Sequence, residues 1–114
     1  MISMNYSAFL YVLSQLATKK KMHLTWEEET LFFERLGENR CILSTKVSSK
    51  PRRDTYFWQS NHCYLKHLNS CVYLFQEITL QPGKYTSFRR ELNDFFMNAA
   101  NWREVFGECL ADQL

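Results

Sequence analysis

The sequence predicts an α+β fold: a small, mostly helical single domain with a central β-hairpin. Three observations carry that expectation. Several stretches repeat apolar residues every three or four positions, as an amphipathic helix does. A middle stretch is richer in residues that favour extended backbone. With 114 residues, one core is long enough to form without metal or disulfides. Hydrophobic residues make up 46% and charged residues 23%, which excludes a disordered tail.

The first helix is expected over 4–18. Asn5 or Ser7 caps it, and Phe9, Leu10, Val12, Leu13, Leu16 and Ala17 recur at helical spacing. Tyr6 and Tyr11 widen the apolar stripe, so this helix is expected to be buried on two sides or to dock on a partner. Lys19-Lys20-Lys21 follows, where cations complement the helix dipole.

A second helix is expected over 25–36. Thr25 and Glu28 have the spacing of a capping box, and Glu27, Glu28 and Glu29 would fill the first turn. Gly37 is the stop. The capping role accounts for the three glutamates without a metal or catalytic site.

Strands are expected over 40–47 and 54–60, joined by a polar loop that holds Pro51 and two serines. Next comes a helix over 62–77, with Leu65, Leu68, Val72, Phe75 and Ile78 on one face. A rival assignment splits it at Asn69-Ser70 and makes Cys71–Leu80 a strand. Gln81-Pro82-Gly83-Lys84 is the strongest turn signal. Helices over 87–98 and 101–112 complete the chain, with Asn98 and Asn101 as the break between them. There is no internal repeat, linker or low-complexity segment.

Charge is uneven. The net charge is +2, but residues 39–70 hold six basic groups against one acid. The run Lys46-Val47-Ser48-Ser49-Lys50-Pro51-Arg52-Arg53 would form the hairpin tip. Lys46, Lys50, Arg52 and Arg53 are the candidate contacts for nucleic acid or another anion. Tyr56 and Trp58 are the candidates for stacking on exposed bases. Guanidinium forks grip phosphate or carboxylate in pairs, so Arg52 and Arg53 carry most of that expectation.

The thiols and imidazoles do not assemble into chemistry. Cys63, His67 and Cys71 would share a face of one helix, but eight residues of helix rise about 12 Å. Zinc needs its ligands within about 2.3 Å of the metal. Cys63 with His62 or His67 would make a nucleophile–base pair, yet nothing orients it. There is no Gly-rich phosphate loop and no His-Glu-x-x-His. No metal and no cofactor is expected, and the chain reads as a non-enzyme.

The N-terminus reads as lacking a signal peptide, and no stretch reaches membrane-spanning length. The four cysteines then read as reduced thiols in the cytoplasm or nucleus, with no membrane partner.

Thr25-Trp26-Glu27-Glu28-Glu29, Phe32-Phe33 and Leu36 look like the first helix of a Myb/SANT-type domain. Gln59-Ser60-Asn61-His62-Cys63-Tyr64 resembles the third helix of that family. The match spans residues 25–68, under half the chain. It implies a three-helix domain that binds DNA or histone tails. The chain departs from the family at Cys41–Ser49, which is strand-like, and it lacks the regular series of core tryptophans.

Two functional expectations follow. One is a small regulatory protein that contacts nucleic acid, or an acidic protein surface, through the basic hairpin loop. The other is a protein-interaction or inhibitor module using aromatic-rich helical faces, forming a homodimer or binding a hetero-partner through helix 4–18.

Overall fold

In the computed structural model, residues 5–26, 28–50 and 63–107 are described. The element order is α1 (Tyr6–Thr18), β1 (Lys21–Trp26), β2 (Glu29–Arg35), β3 (Arg40–Ser48), β4 (Cys63–Leu68), β5 (Cys71–Thr79) and α2 (Tyr85–Val105). The strands form one antiparallel sheet in the order β1-β2-β3-β5-β4. The class is α+β as expected, but the sheet dominates and the domain is not mostly helical.

Helix α1 confirms the first expectation, including its cap. The Asn5 side-chain oxygen accepts a hydrogen bond from the Ala8 N–H at 2.8 Å. This satisfies one of the N–H groups that every helix start leaves open. Phe9, Val12 and Leu16 are buried along one stripe.

The expected helix 25–36 is absent, and a β-hairpin takes its place. Trp26 pairs with Glu29, and Glu28 turns the chain at φ 70°. The Thr25–Glu28 spacing is therefore a turn and not a capping box. Leu31 and Phe33 point inward, while Thr30 and Phe32 point out. The Myb/SANT resemblance is overturned with it, because residues on both of its matched segments are strand.

The expected helix 62–77 is likewise two strands, β4 and β5; the rival assignment had the split at Asn69-Ser70 and the strand β5, but not β4. Asn69 and Ser70 join them at φ 54° and 64°. Positive φ at both central residues is the turn whose twist matches a tight hairpin. Val72, Leu74, Gln76 and Ile78 alternate inward along β5.

Strand 40–47 is confirmed as β3, but at the centre of the sheet. β2 and β5 fill both of its edges along Cys41–Ser44. The expected strand 54–60 lies outside the described residues. A register shift between Lys46 and Ser48 marks a bulge near the end of β3, with Val47 and Ser48 both buried.

The turn at 81–84 forms as expected. The Lys84 N–H donates to the Gln81 carbonyl at 3.0 Å, and Gly83 sits at φ 82° after Pro82. Helices 87–98 and 101–112 are replaced by α2, which runs unbroken through Asn98 and Asn101. Residues 108–112 of the second lie outside the described region. Asparagine is only a weak helix former. Here the Asn98 amide also donates to the Gln76 side chain at 3.3 Å, which ties the helix to β5.

Both helices lie on one face of the sheet. Phe9 and Phe88 meet with ring centroids 4.9 Å apart, and Phe95, Leu92 and Ala99 join Leu43, Leu74 and Ile78 in the core. Two polar ties fix α2 in place. The Glu91 carboxylate accepts from the Thr79 N–H, at 3.2 and 3.1 Å to its two oxygens. Arg103 pairs with buried Glu29 at 2.7 Å and donates to the Lys46 carbonyl at 2.8 Å.

Candidate functional site

No described helix covers the opposite face of the sheet. Strand alternation sends one set of side chains to each face. On this sheet the outer set carries a row of aromatic side chains between charged rows. Following the register across all five strands, His23, Phe32, Ser44, Phe75 and Tyr64 form one continuous rung.

The rings on this face meet in pairs on either side of Ser44. Tyr64 and Phe75 are stacked at 5.1 Å with planes 2° apart. His23 and Phe32 lie 6.1 Å apart, and Phe32 meets Tyr73 edge-on at 6.2 Å. Burial, with the Glu34 carboxylate second, raises the Tyr64 phenol above its ordinary range. Tyr64 is thus a neutral donor at physiological pH.

Ser44 interrupts the aromatics at the centre of the rung. Its small side chain leaves a gap between Phe32 and Phe75, and a concavity of about 330 Å³ opens there. Phe32, Ile42, Tyr73, Phe75 and Leu68 supply apolar lining, with Ser44 at the floor. Phe32 is 40% exposed and Leu68 37% exposed.

Charged rows flank the aromatic rung. On one side Lys46, Tyr73 and Lys66 pair across β3, β5 and β4. On the other, Lys21 opposes Glu34, and Ile42 lies between Glu34 and Glu77. Arg40 is tied to Glu77 by an ion pair.

The predicted site residues are only partly placed. Lys46 points out from β3 onto this open face, and Lys50 is exposed just beyond the strand. Ser48 Oγ accepts from the Lys50 N–H at 3.2 Å and donates to its carbonyl at 3.0 Å. Arg52, Arg53, Tyr56 and Trp58 lie outside the described residues. Phe32, Ser44, Tyr64, Lys66, Tyr73 and Phe75 were missed as site residues. The signal for the aromatics was a surplus over what one small core consumes; Lys66 was one of the six basic groups in 39–70, and Ser44 carried no signal.

Among the described residues the thiols and imidazoles are dispersed; His62 and Cys109 lie outside them. Cys63 and His67 fall on the inner face and Cys71 on the outer. Four residues of strand separate Cys63 from His67 by about 13 Å, too far for a nucleophile and its base. Among the described residues no group of three metal-ligating side chains converges. Cys41 is fully buried, and burial, with Glu91 second, pushes its thiol up to about 12. A thiol so held is inert. No described helix is long and apolar enough to cross a membrane.

No protein-family model matches the chain, and no curated protein matches it in sequence.

Proposed function

We propose that this chain is a non-catalytic binding module that holds a segment of another protein on the open face of its sheet. The aromatic rung with the concavity at Ser44 carries this reading. Exposed aromatic and aliphatic side chains around a depression are what a protein contact buries, and aromatic residues are enriched at such contacts. This reading puts the held segment on the sheet, while the helical face expected from sequence is a separate surface.

Two features favour protein over nucleic acid here. Glu34 sits among the outward residues, where it would repel a phosphate backbone. Ile42 and Leu68 offer no ring on which a base can stack. A photo-reactive phenylalanine analogue at position 32 tests the reading in the native host, with the same group at exposed Arg89 on α2 as control. Protein adducts specific to position 32 are expected. Nucleic-acid adducts there, or equal adducts from both positions, overturn it.

A second surface supports self-association. On α1, Leu10 and Tyr11 are exposed on the side away from buried Phe9, Val12 and Leu16, and Tyr6 is exposed at the edge of that stripe, against Phe9 and Tyr85. A second copy of the chain would cover them in a two-fold contact.

A further inference from the structure

We propose that the segment held on the open face pairs an apolar side chain with an acidic one two residues away. This rests on the reading of that face as the binding surface. Two observations specify the chemistry.

The first is which charges are already committed. Arg40 is held by Glu77 and Arg103 by Glu29, while Lys21 stands opposite Glu34 in register with no ion pair between them. Lys46 and Lys66 are exposed, and neither ammonium has an ion pair among the described residues. They flank Tyr73 on a single row, with one strand between them. At the usual strand spacing their backbones are about 10 Å apart. The row is a cation–aromatic–cation strip, complementary to carboxylates.

The second is spacing. Lys46 is two residues from Ser44 on β3, and Lys66 is two residues from Tyr64 on β4. Successive outward residues on a strand stand about 6.7 Å apart. In an extended ligand, side chains two apart on the same side have that same separation. A segment lying along the strands with an apolar residue in the Ser44 concavity sets its neighbour two positions away over the lysine row. An acid there meets Lys46 or Lys66. The recognised pattern is apolar–x–acidic, in either chain direction.

Random dodecapeptides displayed on phage, panned against the whole chain, test this. The comparison proteins are Lys46→Glu/Lys66→Glu and Ser44→Phe, with exposed Phe32→Ser replacing the latter if it does not fold. Oligo-dT and oligo-U of sixteen nucleotides are titrated alongside at 50 and 200 mM salt. The wild-type chain is expected to enrich apolar–x–acidic peptides. Reversing both lysines should weaken them about tenfold and favour basic residues in their place. Enrichment that Ser44→Phe abolishes but lysine reversal leaves unchanged overturns the acidic preference and keeps the binding face. No enrichment dependent on Ser44 or Phe32 overturns both. Oligonucleotide binding lost on lysine reversal, with no peptide enriched, makes the face a nucleic-acid surface and also overturns both.

Discussion

Arg103 Nη1 lies 2.7 Å from Glu29 Oε1, joining the last turn of α2 to the first residue of β2 across the back of the sheet. The same guanidinium donates to the Lys46 carbonyl at 2.8 Å and to Thr45 Oγ1 at 3.4 Å. One side chain thus fixes β2, β3 and α2 together. Glu29 is 4% exposed, so it depends on this partner.

Arg103→Ala is expected to destabilise the fold by about 3–5 kcal/mol, because it strands a buried carboxylate. Replacing both partners, Glu29→Leu with Arg103→Met, should cost much less. Chemical denaturation of the three proteins checks this. An equal loss in the single and double variants would show that packing, not the stranded charge, sets the cost.

Cys41 predicts an alkaline limit. Its folded-state thiol is raised from 9.0 to about 12, so the folded chain keeps a proton that the unfolded chain releases. Its contribution is fully present below pH 9 and is lost as pH rises toward 12, by at most about 1.4 kcal/mol per unit. The stability difference between wild type and Cys41→Ala, followed from pH 7 to 11, should be flat and then shrink.

Gly83→Ala isolates a backbone effect. A Cβ there would meet nothing within 4 Å, but φ is 82°. The expected cost is about 1–2 kcal/mol, from left-handed strain alone. A melting curve with unchanged cooperativity and a lower midpoint is the readout.

Filling the concavity should separate binding from folding. Ser44→Leu places aliphatic volume between Phe32 and Phe75. Fluorescence of an apolar dye such as ANS is expected to fall severalfold relative to wild type, while the thermal midpoint holds within a few degrees. Unchanged dye binding would mean the dye sits elsewhere, with α1 the first place to look.

Self-association through α1 is checked by sedimentation over a hundredfold concentration range. Leu10→Asp/Tyr11→Asp should shift any dimer to monomer without loss of stability, since both side chains are exposed. A wild-type chain that stays monomeric throughout removes the second surface.

What was legible in the sequence was local. Asn5 as a cap, the turn at Gln81–Lys84 and the strand Arg40–Ser48 each follow from a few adjacent residues. The β1–β2 hairpin was hidden by its own glutamates. Glu28 and Glu29 imitate a helix start, but Glu29 answers to Arg103, which is invisible at that distance in sequence. β4 was hidden, and β5 reduced to a rival assignment, by the aromatic rung. Tyr64, Tyr73 and Phe75 are outward, so apolar residues occupy both faces and the alternation of a half-buried strand is smeared. The residues that misled the assignment of structure are the ones that make the open face distinctive.

Helix α2 is fastened near one end by Glu91 to the end of β5 and at the other by Arg103 to β2 and β3. It acts as a splint along the rear of the sheet. Shifting β2 or β3 relative to α2 would disturb the buried Arg103–Glu29 pair, so this part of the sheet is braced before any ligand arrives. The entropic cost of fitting then falls on the partner, whose segment has to give up its own freedom to match a surface that does not yield. Binding should consequently show a heat-capacity change from the buried apolar area together with an entropy loss that scales with the length of the segment, not with any rearrangement of this chain.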